Sequence, residues 1–281
     1  RPWTDGAHKT FSFRADPAVA AALVAGRVAC AAVANNHVGD FGMDGLRDTL
    51  AALDHAGIAH AGAGTDLARA REAAVLTAGD ARVAVVAFAD DPAAWSATEA
   101  SPGINHTPVS LAPEHFEAVR RALEAARARA DVVVFSMHWG PNMRTRPTAP
   151  FREFAHAVLD AGANVFWGHG AHLVQGVELR ASRLILYDTG DLVDDYAVDP
   201  GLRNDLSALF LVRVAPPAIE SVEVVPVRIR DCRATLAGGR DRDWVVEQLD
   251  FRSAGLGTTV TTAACGTHIV SPAELEPAGS P

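Results

Sequence analysis

The sequence predicts an α/β fold in which helices cover a mainly parallel sheet and a second, largely antiparallel sheet follows. Three observations carry this. Continuous apolar runs alternate with stretches of helical periodicity, which is the pattern of strands buried on both faces. Three of those runs stop abruptly in polar, histidine-bearing clusters. From Val174 onward the helical pattern gives way to short, closely spaced β-rich segments.

The first firm element is the apolar run Arg27 to Val33, which ends in Asn35-Asn36-His37 and reads as a buried strand. After Gly39-Asp40-Phe41-Gly42, the residues Met43, Leu46, Leu50 and Leu53 recur at helical spacing until Gly57 stops them. Ile58 to Ala61 and Arg82 to Ala89 supply further short apolar runs, with a helical piece around Leu67 to Ala73 between them. Pro92 to Pro108 is rich in turn residues and is expected to lack regular structure.

Pro113 then opens a helix with Phe116, Val119, Leu123 and Ala126 on one face, leading into the strand Val132 to Phe135 and the cluster Ser136-Met137-His138-Trp139-Gly140. A third unit repeats the scheme: helix Phe151 to Leu159, stop at Gly162, strand Asn164 to Trp167, then Gly168-His169-Gly170-Ala171-His172. Val174 to Leu179, Leu184 to Tyr187, Leu206 to Val214 and Ser221 to Ile229 are expected to form the second sheet, with a closing helix at residues 241 to 250. Residues 1–252 are read as one domain and 253–281 as a poorly ordered tail, because Gly, Thr, Ala and Pro dominate there. No internal repeat is found.

Composition narrows the function. A formal charge of −9 and the lack of a Lys/Arg run argue against nucleic acid as a partner. Hydrophobic residues make up 49% of the 281 residues, enough for a buried core, and aromatics only 6%, so small aliphatics build it. Cys30, Cys232 and Cys265 are too scattered for a disulfide framework. No stretch approaches the ~18 to 20 apolar residues that span a bilayer, so the chain as written is expected to be soluble. Its opening, Arg1 to Gly6, reads like the inside of a loop, which suggests a segment upstream.

The histidines carry the chemistry. His37, His138 and the His169/His172 pair each follow a predicted strand, and the carboxyl ends of parallel strands meet along one edge, where ligands bind. A lone histidine at a strand end is usually structural. Three coincident clusters point instead to a metal site, since neutral imidazole is the commonest metal ligand. His169 and His172, spaced by two residues and preceded by Gly168, can reach one centre from a tight loop. The amide oxygen of Asn36 is a usable hard-metal ligand, and His37 beside it can act on whatever the metal binds.

Asp188, Asp191, Asp194 and Asp195 follow a strand and can hold a cation or orient histidines, although a solvated turn has the same spacing. Arg144 and Arg146 can clamp an anion through paired hydrogen bonds or sit as ordinary surface arginines. No Gly-x-Ser-x-Gly elbow and no P-loop is present, which argues against covalent serine hydrolysis and P-loop nucleotide chemistry.

Four stretches together resemble the CapA family of poly-gamma-glutamate capsule-synthesis proteins, a branch related to calcineurin-like metallophosphoesterases. They are Ala34-Asn35-Asn36-His37 with Asp40 and Gly42; Ala61-Gly62-Ala63-Gly64; His138-Trp139-Gly140; and Gly168-His169-Gly170-Ala171-His172 followed by Gln175-Gly176-Val177-Glu178 and Tyr187-Asp188-Thr189-Gly190-Asp191. The resemblance covers residues 10 to 215. It implies a four-layer α-β-β-α metallophosphoesterase-like sandwich with mixed sheets, here without its first strand, and a centre holding two divalent ions such as Mn, Zn or Fe.

Carried over by motif, Asn36, His138 and His169 are implied as ligands of one ion and His172 as a ligand of the second. His37 is implied as the general acid and Asp40 as the group that orients it. From their positions in the sequence, Asn35, Arg144 and Arg146 are candidate substrate contacts, and Asp188 and Asp191 candidate outer partners of the ligands. The family's upstream Gly-Asp and Asn-Leu-Glu motifs, whose carboxylates hold or bridge the metals, are expected before residue 1. The final pair is His-x-x-His rather than the Gly-His-x-His of phosphoesterases.

The leading expectation is a metal-dependent hydrolase of a phosphoester or related anionic bond, with a metal-activated water as nucleophile. A second is a non-catalytic component of capsule or poly-gamma-glutamate synthesis and export that binds anionic polymer or a membrane partner. A third is a tailoring enzyme on the same fold.

Overall fold

The computed structural model describes residues 10–272. The chain divides into two compact units: one contains residues 1–139 and 153–163, the other 140–152 and 164–281. The opening residues 1–9 and the last part of the expected tail, 273–281, lie outside the described residues.

In the first unit, Asp16 caps a short 3-10 turn, its Oδ1 accepting from the Ala18 N–H at 2.8 Å, and α1 (Ala20–Ala25) follows. β1 (Cys30–Ala32) is shorter than the apolar run around it, because only three residues pair, in parallel, with β2 (Ala59–Ala61). Between them α2 (Gly42–His55) buries Leu46, Leu50 and Leu53, as the spacing predicts. Each such side chain contributes roughly 1.5–3 kcal/mol on leaving water.

β3 (Ala63–Gly64), α3 (Leu67–Arg71) and β4 (Ala74–Ala78) come next, and the Gly79-Asp80 turn returns the chain antiparallel as β5 (Ala81–Ala89). The segment expected to be irregular holds β6 (Gly103–Ile104), which pairs with β3. α4 (Pro113–Arg127) buries Val119, Leu123 and Ala126, and β7 (Val132–His138) lies parallel to β5. Phe154, on the part of α5 (Ala149–Asp160) that belongs to this unit, packs at 5.8 Å from Phe116 and 6.4 Å from Phe135 between ring centroids.

In the second unit β8 (Val165–His169) is followed by the hairpin β9 (Val177–Arg180) and β10 (Arg183–Leu186); β10 runs parallel to β8 and antiparallel to β9. Their β-rich character places these two segments in the second sheet by sequence; backbone pairing with β8 assigns them to the first. The second sheet has the order β11 (Leu206–Ala215), β12 (Ala218–Arg230), β15 (His268–Pro272) and β14 (Thr258–Thr262), all antiparallel, with β13 (Arg233–Leu236) also on β12.

α6 (Gly239–Ala254) is the closing helix, somewhat longer than predicted. Residues 258–272 therefore form a hairpin in place of the expected loose tail. Val260 and Val270 pair and are both buried, and the Asp250 carboxylate accepts the Val260 N–H at 2.8 Å, which ties the hairpin to α6. The mixed parallel and antiparallel pairing confirms the α/β class. Among the described residues no helix is long and apolar enough to cross a membrane.

Candidate functional site

The first unit presents one histidine loop and one histidine at a strand end. Leaving β1, the chain passes through the buried Val33 and Ala34 into the loop that carries Asn35, Asn36, His37 and Asp40. Gly62 makes room for it: with φ at +99°, a Cβ there would meet the Ala34 Cβ at 2.6 Å and the Ala87 Cβ at 2.8 Å. The loop thus lies against the C-terminal part of β5, whose Ala89 is in register with His138, the last residue of β7.

Asn35 turns the loop. Its Oδ1 accepts from the N–H groups of His37 at 2.8 Å and Val38 at 2.7 Å, so that oxygen is committed to the backbone. Gly39 packs against Trp95, where a Cβ would come within 2.8 Å of the indole. The buried Asp40 uses one oxygen, Oδ2, twice: His37 Nδ1 lies at 2.7 Å and the Phe13 N–H donates at 2.8 Å. An ionised Asp40 assigns the proton to Nδ1. The Phe13 ring covers His37 at 4.4 Å between centroids, yet the His37 side chain stays 29% exposed. A cavity of about 850 Å³ opens beside it.

The second unit gathers its groups where β8 and β10 end, Trp167 being in register with Leu186. The Gly170 φ of +123° lets the chain turn sharply, and His172 itself adopts the left-handed region at +59°. Asp188 holds this turn through the backbone: its Oδ2 accepts the Ala171 N–H at 2.6 Å and its Oδ1 the Gly190 N–H at 2.8 Å. Asp191 holds the ring, both of its oxygens lying 3.0 Å from His172 Nδ1, and Tyr196 packs edge-on at 4.9 Å. Nε2 of His172 is left for another partner.

Electrostatics separates the two imidazoles. Burial, helped by the nearby His172, pushes His169 down to about 4, so it is neutral at physiological pH. For His172 burial acts downward too, but the Asp191 hydrogen bond and the charges of Asp191, Asp188 and Asp194 raise it overall. Burial also pushes Asp188 up to about 7 against the two N–H donors that favour its charge. Asp194 Oδ2 is buried without a hydrogen-bond partner among the described residues.

The expected site residues thus fall into two groups, Asn35, Asn36, His37, Asp40 and His138 in the first unit, and His169, His172, Asp188 and Asp191 in the second. Asp188 hydrogen-bonds the loop backbone and acts on the His172 imidazole through its charge. Arg144 is half-buried, and its carbonyl accepts from Gln175 Nε2 at 2.8 Å. Arg146 donates to the Phe251 carbonyl at 3.1 Å and stacks on that ring at 4.5 Å, so its guanidinium already has internal partners. Sequence reasoning missed Phe13, Trp95 and Tyr196, since a ring packed on a loop leaves no spacing signal.

As metal donors the residues fit in kind but not in number. A neutral imidazole, a second imidazole held by a carboxylate and an orphaned carboxylate oxygen are the groups a divalent ion takes. Among the described residues, however, no three His, Cys, Asp or Glu side chains are grouped so as to hold an ion.

Residues 2–196 match the family described as bacterial capsule synthesis protein PGA_cap. A probable polyglutamine synthesis accessory protein of Mycobacterium tuberculosis is 34% identical over 264 residues, covering 90% of this chain and 70% of that one. The capsule biosynthesis protein CapA of Bacillus anthracis is 29% identical over 71% of this chain and 47% of its own length, and the PGA biosynthesis protein CapA of Bacillus subtilis 28% over 70% and 50%. A hypothetical protein from Thermus thermophilus is similar over 58% of each chain at 16% identity and a TM-score of 0.31. With more than half its length matched, the chain belongs to the PGA_cap family of bacterial capsule synthesis proteins.

Proposed function

We propose that the chain acts in capsule or polyglutamate synthesis as a metal-dependent hydrolase of a phosphoester or a related anionic bond. The observation that carries this reading is the His37–Asp40 pair, a fixed imidazole with one open side at the end of a strand. Asp40 engages Nδ1, so Nε2 is the nitrogen that can pass a proton to the departing oxygen as its ester bond breaks. Asn36, His138, His169 and His172 are the residues that would hold divalent ions. Four donors fall short of two coordination shells, so water, substrate or further protein oxygens complete them. The chemistry such ions supply when bound is Lewis-acid polarisation of the scissile group and acidification of water.

The neutrality of His169 supports its role as a donor without a proton to displace. The test is elemental analysis of the purified chain together with hydrolysis of bis-nitrophenyl phosphate in Mn, Zn or Fe. Retained metal and turnover that a chelator removes are expected; neither metal retention nor turnover with any of the three ions overturns the reading.

A second reading, a non-catalytic component that binds anionic polymer, is favoured by the absence of a complete three-ligand group among the described residues. The name of the mycobacterial relative as an accessory protein points the same way. It predicts binding of polyglutamate that survives His138→Ala and His172→Ala.

A further inference from the structure

We propose that the cavity beside His37 binds an amphipathic amine, a ligand with an apolar body and a protonated amino group. The volume, about 850 Å³, lies in the range of small-molecule sites. Much of the wall is apolar, with Phe13, Leu23, Val33, Val38, Phe41 and Leu53 among its residues. Burying a hydrocarbon body against them is favourable in proportion to the area covered.

Charge selects the polar end. Among the described residues, Asp16, Asp44 and Asp48 line the cavity against one arginine, Arg14, whose guanidinium lies over the Phe41 ring at 5.5 Å. Asp44 is paired with Arg47 at 2.8 Å, and Asp16 gives one oxygen to the Ala18 N–H. The carboxylate of Asp48, one turn beyond Asp44 on α2, makes no ion pair or hydrogen bond with any described residue, so its charge is open to a ligand. An ammonium group gains from this lining, whereas a polyanionic chain meets like charges. The cavity is therefore not the seat of a polyglutamate backbone. Its place beside His37 makes the occupant the leaving-group end of the substrate; that part rests on the proposed role of His37, and the binding itself does not.

The experiment titrates the intact chain, kept in chelator, with phenylbutylamine, phenylbutanol, phenylbutyrate and tri-gamma-glutamate, following backbone amides by proton–nitrogen NMR. Perturbations are expected at residues 13–23 and 33–53, with the amine bound roughly threefold to fivefold more tightly than the alcohol, the size of an exposed charge pair. The two anions are expected to bind weakest. Asp48→Asn should remove much of the amine's advantage, as should about 0.5 M salt. Thr49→Phe, on the exposed side of α2, should block every probe by filling the space.

Equal affinity for amine and carboxylate, tri-gamma-glutamate bound in the cavity, no binding at all, or perturbations indifferent to Thr49→Phe would each overturn the proposal. Because chelated protein is used, a failure here leaves the hydrolase reading standing, and a failure of turnover leaves the binding result standing.

Discussion

His37 and His172 both rest Nδ1 on a carboxylate, but one contact spans three residues and the other nineteen. Asp40 lies in the same turn as His37, and the pair is set by local backbone geometry plus the packing of Gly39 on Trp95. Asp191 reaches His172 from the far side of β9 and β10, so that contact exists only once β8 and β10 have paired. Exposure differs accordingly. The His37 side chain is 29% exposed and that of His172 16%, while burial pushes the neighbouring His169 down to about 4, which keeps it neutral. The comparison teaches that one histidine–carboxylate pair can be built within a turn, while the other needs a paired sheet to bring its partners together.

The largest effect that would break this contrast is on turnover. If the proposed hydrolase role holds, His37→Ala is expected to lower kcat by about 10²- to 10⁴-fold while leaving metal content and thermal midpoint unchanged; a matching loss of bound metal would make His37 a ligand instead of the proton donor. Next in size is Gly62→Ala, which forces a Cβ against Ala34 and Ala87 at a left-handed backbone angle. A loss of about 2–4 kcal/mol by denaturant unfolding is expected, since overpacking and positive φ both contribute.

The corresponding test in the second unit is Asp188→Ala. It leaves the N–H groups of Ala171 and Gly190 unpaired, and a loss of about 2 kcal/mol or more is expected in the same assay. Should it cost nothing, the turn at His172 is held by its backbone alone and the contrast with the first loop disappears.

The smallest effect sharpens the comparison through pH. The Arg203 hydrogen bond, with further help from Arg203 and Arg228 charges, holds Asp205 below the usual carboxylate range. A depressed folded-state pKa contributes stability above the unfolded value near 4, lost as pH falls through the lower folded value. Acid unfolding of the wild type should therefore be steeper below pH ~4 than that of Asp205→Asn; identical profiles would remove this ion pair from the account.

How much of this was legible follows the same divide between local and distant contacts. The helix α2 and the His37 loop were readable because leucine spacing and Asn-Gly-Asp turn chemistry act over a few residues. β4 was not, since Ala74–Ala78 shows neither a helical nor an alternating pattern, although the Gly79-Asp80 pair before β5 was the hairpin signal that could have found it. The assignment of β9 and β10 to a sheet could not be made from residues whose partners lie elsewhere in the chain. Tyr196 on His172 and Phe13 on His37 are of this kind as well, being contacts between loops.

The left-handed backbone at His172 sets two demands on one position. A residue without a side chain would relax there by about 1 kcal/mol, so the backbone alone favours glycine. The imidazole offsets that strain through its bond to Asp191 and its packing on Tyr196, so His172→Gly should lower the melting temperature although it relieves the backbone.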